Sequence, residues 1–434
     1  MLVNADAAAS AKMETGWIPE LDGLRAVACV LVVIAHFNPW LGGYISPMLH
    51  PVKLFSPGNL GVMLFFSLSS FLLTSVCLSE MDRTGTIDVR TFLIRRALRI
   101  WPLYFSIFFA TMFFISPHSP LPMGAGASTS DDQWSWVIKA SPAYVLFVGN
   151  WMQQKLSEIG IFWTICVEEQ FYFALPFILP LVARMKHLSL TIAISIAATA
   201  AAVVYFPKSD SLSISEGYYQ TTTYISTFCF GAVAAIMFRS GAGRLLMRGW
   251  AAGAFAIATM LIAVALFPLF WWPPYGVSAA ILYNVVPALL ILIVYCVAIN
   301  SNTRALGFLR SDFVRSIGML SYGIYLTHVL SHRFANLEID LLHLSSVKPA
   351  AVYHVLFVQY FSFAVFIASI AHGAIERPFV KLRARLIPGK TSSAIDSKWN
   401  LQWGRFSVAS GIVTAACFAV LSVIAVRIPW LCEN

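Results

Sequence analysis

Charge is what this sequence has least of: among 434 residues only 11% are Asp, Glu, Lys or Arg, against 59% hydrophobic. A water-soluble domain carries about 25% charged residues to cover its surface, so a soluble globular class is excluded. Paired cysteines are missing too. Cys29, Cys77, Cys166, Cys229, Cys296, Cys417 and Cys432 form no CxxC pair, and all but the last lie in apolar runs. Neither a disulfide framework nor a zinc site is indicated, and small buried side chains are the reading. There is no Gly-rich phosphate loop, no GxSxG and no HExxH, so phosphate-loop, serine-elbow and zinc chemistry have no support and no metal site is expected. No fixed-period repeat is visible. Residues 1–20 are mixed and polar and no small-residue cleavage site follows the first apolar run. The first span is therefore expected to be retained.

What recurs instead is the apolar run of about 20 residues, long enough to cross a hydrocarbon core of about 30 Å. The runs are continuous, without strict alternation, which selects helices over a barrel. About eleven spans are expected, roughly 23–38, 59–78, 99–116, 162–183, 189–206, 221–238, 250–268, 278–299, 316–334, 353–375 and 407–427, with a shorter apolar stretch at 142–150. The fold class is an all-α polytopic membrane helical bundle, about ten core helices plus an eleventh near the C-terminus.

The net charge of +9 does not mark a nucleic-acid binder, because the basic residues sit in short clusters between apolar runs. One set of loops holds Arg83, Arg90, Arg95 and Arg96, then Arg184 and Lys186, Arg239, Arg244 and Arg248, Arg304 and Arg310, and a final group from Arg377 to Lys398. The intervening loops hold only Lys53, Lys139, Lys155, Lys208, Arg333 and Lys348. The positive-inside rule puts the first set in the cytoplasm, the N-terminus inside and the C-terminus outside. The largest outer loop is about 117–160, with Trp134, Trp136 and Trp151, and Trp271 and Trp272 beside Pro273 and Pro274 look like an interfacial anchor.

Ionisable groups inside a spanning helix need a reason. Arg25 and His36 have ten residues between them, which is three helical turns plus about 20°, so they share a face about 16 Å apart. Histidine is the side chain best suited to take a proton near neutral pH. Arg95, Arg96 and Arg99 crowd one side of a helix start, an arrangement that favours an anion such as phosphate. Glu168 and Glu169 are adjacent in the fourth span and point about 100° apart, so one of them faces any single site. Ser321, Tyr325 and His328 follow helical spacing and form a polar stripe, implying an interior cavity. His118, His187, His343 and His354 fall in loops or at helix ends, where no chemistry is read.

Taken in order, these segments resemble the acyltransferase-3 integral membrane acyltransferases over roughly residues 18–385. The first helix from Ile18 through Arg25 to His36 looks like the family's Arg-x(10)-His signature. Gly61 to Leu72 is similar to its second-helix motif, Arg95 to Tyr104 to its arginine motif, and Trp163 to Tyr172 to its Trp-Ser-Leu-x-x-Glu-x-x-Phe-Tyr motif, with Glu168 in the glutamate position. Ser321 to His328 and Glu376-Arg377-Pro378 look like the closing motifs. Met63 stands where the family often has Asp or Glu and Ser70 where it often has Gly, while Thr164 and Ile165 are milder departures.

The resemblance implies an acyltransferase that moves an acyl group, usually acetyl from acetyl-CoA, to a hydroxyl of a carbohydrate such as surface polysaccharide or lipopolysaccharide. No bound cofactor is implied; acyl-CoA is a donor substrate. His36, Glu168 and Arg25 are the expected catalytic residues, Arg95, Arg96 and Arg99 the expected acyl-CoA phosphate binders, and Ser321, Tyr325, His328 and Tyr172 the expected substrate cavity. An acyl-enzyme relay through His36 is as open as direct transfer. The implied layout is a tail at 1–17, the membrane domain at 18–385, a cytoplasmic connector at 386–404, and an extra helix with a short outer tail at 405–434, in the plasma membrane. Some members carry a further extracytoplasmic domain, so either the membrane domain holds the whole acceptor site or a partner adds to it. A secondary transporter or a lipid-linked glycan flippase is the alternative.

Overall fold

The computed structural model describes residues 18–41, 57–117, 131–152, 158–184, 188–205, 219–241, 277–341, 350–387, 404 and 406–423. Its long elements are helices: α1 (Pro19–Leu41), α2 (Pro57–Thr84), α3 (Val89–Ile115), α4 (Asp131–Val145), α5 (Trp163–Arg184), α6 (Leu188–Tyr205), α7 (Ile225–Ser240), α8 (Val277–Ile299), α9 (Asp312–Leu341), α10 (Ala350–Ala371) and α11 (Arg377–Leu386). A twelfth, α12, runs Phe406–Val423. No strand occurs among the described residues. Among the described residues seven helical stretches are long and apolar enough to cross a membrane: Gly58–Thr84, Val89–Ile115, Ile159–Ala183, Thr221–Ser240, Ala280–Ile299, His354–Leu386 and Phe406–Val423. The chain is therefore a polytopic helical membrane protein. The expected spans at 23–38, 189–206 and 316–334 correspond to α1, α6 and α9. The expected span at 250–268, the anchor at Trp271 to Pro274, the tail at 1–17 and most of the connector at 386–404 lie outside the described residues, as do His118, His187, His343 and Cys432.

Lipid offers no hydrophobic gain for helix association, so close backbone approach and polar contacts hold the bundle. α1 lies between α2 and α9, and α9 packs on α10 in turn. Small residues allow this. A Cβ added to Gly318 of α9 would sit 1.8 Å from the Asp22 carbonyl oxygen of α1, and one added to Gly61 of α2 would sit 2.5 Å from that of Ala28. On the far side of α2, α7 and α8 pack together and carry α6. Pro287 inside α8 lacks an N–H, which leaves the Tyr283 carbonyl without its helical donor. The Ser226 hydroxyl of α7 donates to that carbonyl at 3.1 Å, turning a helix defect into a helix–helix contact. α7 ends at Gly241, which adopts the left-handed φ of 72° that glycine tolerates. α3 and α5 pack together and close one flank of α2 and α9. Large exposed apolar side chains recur on α3 and α5, among them Phe109, Phe113, Phe173, Phe177 and Leu181, and on α12, such as Val408 and Ile412, where lipid would cover them.

The ambiguous stretch at 142–150 is the end of α4 followed by one 3₁₀ turn at Gly149–Trp151. It does not cross the bundle. Gln170 of α5 donates to the Phe147 carbonyl at 2.7 Å and to Asn150 Oδ1 at 2.8 Å, and Asn150 donates to Thr221 at 3.0 Å. This polar knot fixes the 147–151 turn against α5 and the start of the α7 segment.

α10 does not stop at Ala371. A π-turn at His372–Glu376 carries it into α11, and His372 Nδ1 meets Glu376 Oε2 at 2.9 Å inside that turn. At the Arg310 end of α1, buried Glu20 accepts from the Asn302 backbone N–H at 2.6 Å and pairs with Arg310 at 3.4 Å, tying α1 to the short turns before α9.

Candidate active site

The polar residues gather where α1, α2, α5 and α9 meet. A cavity of about 50 Å³ there is lined by Arg25 of α1, by Val62, Phe65, Phe66 and Ser69 of α2, by Thr164, Ile165 and Glu168 of α5, and by Ser321, Tyr322 and Tyr325 of α9. Glu168 is held on both oxygens. The Ser69 hydroxyl donates to Oε1 at 2.8 Å, and the Tyr172 hydroxyl to Oε2 at 2.9 Å. Tyr172 stands four residues after Glu168, one turn along the same face. Both donors are neutral hydroxyls, so the carboxylate's negative charge is left to act on Arg25 and Arg99, the cations within electrostatic reach.

Glu169 faces elsewhere. Its Oε2 accepts from Trp101 Nε1 of α3 at 3.0 Å, away from the cavity lining. Adjacent carboxylates on a helix thus divide: one serves the cavity and one fastens α5 to α3.

On α9, Tyr325 receives the Thr164 hydroxyl at 2.7 Å and donates its own to the Ile161 carbonyl at 3.1 Å. Tyr322 donates to the Ile100 carbonyl of α3 at 2.9 Å. Ser321 is buried, and its carbonyl lies 3.8 Å from the Cys29 thiol. His328, one turn beyond Tyr325, does not line the cavity. It is fully buried and packs edge-on against His36, with ring centroids 4.7 Å apart. His36 itself is exposed. Its Nδ1 lies 2.9 Å from the Val32 carbonyl, and His328 Nδ1 meets the Tyr325 carbonyl. A carbonyl oxygen only accepts, so each Nδ1 carries a proton, and in the neutral form of either ring Nε2 is the basic nitrogen.

The two groups of expected catalytic residues therefore separate. Arg25 and Glu168 share the cavity, while His36 stands with His328 near the far end of α1, about 16 Å further along the helix than Arg25 at its rise per residue. Tyr325 joins them, lining the cavity and lying 5.6 Å, centroid to centroid, from His328. Of the arginine motif, Arg96 and Arg99 belong with Arg25: each of their charges is acted on by Arg25 and by Arg383 of α11. Arg95 is half-buried nearby on α3.

Several contributors carried no signal of their own in the sequence. Ser69 and Thr164 are ordinary hydroxyls in apolar helices, and Arg383 is one cation in a basic run. The Ser70 departure has a local counterpart: Ser70 donates to the Phe228 carbonyl of α7, and a Cβ added to Gly231 would lie 2.5 Å from the Ser70 Cβ. The close α2–α7 approach is kept by placing the glycine on the opposite helix. Met63 is buried in the apolar core, where a carboxylate would lack a partner. The described cysteines form no disulfide with one another, and among the described residues no three His, Cys, Asp or Glu side chains stand together as metal ligands.

A family model described as an acyltransferase domain, of the acyltransferase-3 type, matches residues 18–373. A protein of Staphylococcus aureus strain COL, provisionally named an O-acetyltransferase, is 24% identical over 385 residues, covering 84% of this chain and 58% of that protein. The O-acetyltransferase OatA of Staphylococcus aureus strain NCTC 8325 is 27% identical over 237 residues, 51% of this chain and 35% of that protein. The chain thus spans little more than half the length of the first of these relatives. No solved structure matches. The family match covers the helices that build the cavity, the arginine cluster and the histidine pair, and the chain belongs to the acyltransferase-3 family.

Proposed function

We propose that the protein is a membrane-embedded O-acyltransferase that moves an acetyl group from acetyl-CoA to a hydroxyl of a carbohydrate, such as a cell-surface polysaccharide. The observation that carries this reading is the line of polar groups through the bundle: arginines at one end, the cavity with Glu168 and Arg25 in the middle, and the His36–His328 pair beyond it. The names of the Staphylococcus aureus relatives support the reaction class.

Acetyl-CoA reaches the arginine end from the cytoplasm, where it is made, with the N-terminus on that side and the protein in the plasma membrane. Arg96 and Arg99 hold its phosphates. The pantetheine arm runs past Arg25 and through the cavity, carrying the thioester towards His36. His36, its Nδ1–H spent on Val32, accepts the acceptor's hydroxyl proton at Nε2 as the acceptor oxygen attacks the acetyl carbon and the C–S bond breaks. General base catalysis of this kind is worth about 10²–10⁴-fold. Glu168 acts as counter-charge to Arg25 rather than on His36, with which the structure does not pair it. Ser321, Tyr325 and Tyr172 shape the cavity.

Two measurements test this. Mass spectrometry of surface glycans from cells with and without the gene is expected to differ by the mass of one acetyl group. Acetyl transfer from labelled acetyl-CoA in membranes carrying His36→Ala is expected to fall by about 10²–10⁴-fold. Activity near wild type in those membranes would sink the assignment of His36.

A further inference from the structure

We propose that Arg383 completes a phosphate-binding site with Arg25, Arg96 and Arg99, and that this site holds the phosphate end of the acyl donor. The proposal deepens the acyl-CoA reading above and rests on it for the identity of the ligand. The geometry begins at the π-turn, His372–Glu376. Such a turn inserts an extra residue into the helix and rotates every later side chain by about 100°. Beyond it, α11 packs against α3. On α11, Lys381 and Arg385 are exposed while Arg383 between them is half-buried. Residues two apart on a helix lie about 200° apart around the axis, so Arg383 faces inward when its neighbours face out.

The charges of Arg96 and Arg99 are both acted on by Arg383 and by Arg25. Three helices thus bring four guanidinium groups to one place. Four guanidinium groups outnumber the carboxylates that act most strongly on them: Glu376 on Arg99, Glu168 on Arg25 and Arg99, and Glu169 on Arg96. Arg96 Nε is buried and donates to no group among the described residues. Like charges at such range repel, and the repulsion is relieved by an anion with several oxygens, which planar guanidinium forks bind well. A diphosphate fits that description better than a single carboxylate. Arg383 is among the charges acting most strongly on both Arg96 and Arg99.

The same chemistry would suit a phospholipid headgroup, and the experiment separates the two. The full-length protein is placed in nanodiscs and assayed with two donors: acetyl-CoA, and S-acetylpantetheine, a thioester without phosphates. Arg383→Ala is expected to raise the KM for acetyl-CoA at least tenfold, with kcat within twofold of wild type. Its kcat/KM for S-acetylpantetheine is expected to match wild type. Equal losses with both donors would mean a structural role and overturn the proposal, as would an unchanged KM. The KM shift is expected in neutral and in anionic bilayers alike; a shift confined to anionic bilayers assigns the site to lipid headgroups and overturns the donor assignment. Calorimetry with inorganic pyrophosphate reads the site without turnover. Weaker binding by Arg383→Ala than by wild type upholds the anion site even if acetyl-CoA proves not to be the donor. Equal binding by both proteins, or none by either, overturns it.

Discussion

The proposed chemistry rests mainly on two side chains, and their hydrogen bonds define what each can do. His36 keeps its Nδ1 proton on the Val32 carbonyl, and the residue is exposed. A small exogenous base can therefore reach the space the imidazole leaves. His36→Ala is expected to regain part of its lost acetyl transfer when imidazole is added, with the gain following the concentration of neutral imidazole. No regain at any concentration would count against a base at this position. Glu168 accepts from two hydroxyls, at 2.8 and 2.9 Å. Hydrogen bonds to a charged acceptor are worth about 1.5–3 kcal/mol each. Glu168→Gln keeps the shape but removes the charge facing Arg25, and it forces one hydroxyl to turn. It is expected to lower kcat more than tenfold, whereas Tyr172→Phe, which leaves the carboxylate and its Ser69 bond in place, is expected to cost less. Equal effects of the two substitutions on kcat would show that the hydrogen bond rather than the charge matters. Much of this was legible in the sequence, because charge and imidazole in apolar helices are conspicuous. The partners were not. Nothing in the spacing of α1 says that His36 meets His328, or that Glu168 finds Ser69 ninety-nine positions away.

The helices were legible because hydrophobic length and continuity fix them one at a time, while their registers depend on contacts between distant segments. α1 shows the difference. Its length and its Arg25–His36 face follow from spacing, but its depth between α2 and α9 is set by Gly61 and Gly318. A methyl group at Gly318 would overlap the Asp22 carbonyl of α1, at 1.8 Å, and neither backbone can yield cheaply. Overpacking of this kind costs about 1–3 kcal/mol. Gly318→Ala is expected to lower the thermal midpoint of the solubilised protein and, by displacing Arg25 three residues from Asp22, to cut acetyl transfer as well. An unchanged midpoint would mean that α9 shifts freely along α1. The π-turn before α11 is the opposite case. Its sequence, His-Gly-Ala-Ile-Glu, carries no visible mark of the extra residue. Arg383 was therefore hidden among the basic residues of an ordinary cytoplasmic segment.

Across the whole molecule the polar groups form one line, and its two ends differ. The end formed by α3 and α11 is cationic, with Arg96, Arg99 and Arg383 drawn together around Arg25. The line then passes Glu168 and Tyr325 to reach the two imidazoles. An anionic donor and a neutral sugar hydroxyl would therefore approach from different ends, and in the proposed orientation, taken from the basic loops, the cationic end faces the cytoplasm. That orientation is open to direct measurement. Sealed inside-out vesicles expose the cytoplasmic face, so added acetyl-CoA is expected to support acetyl transfer in them. Right-side-out vesicles are expected to transfer acetyl only after permeabilisation, since acetyl-CoA is too polar to cross the bilayer unaided. Arg383→Ala should raise the KM for acetyl-CoA in the inside-out vesicles by the same factor as in nanodiscs, because the same face meets the donor. If intact right-side-out vesicles used external acetyl-CoA, the cationic end would face the other compartment, and the positions of donor and acceptor along the polar line would have to be exchanged.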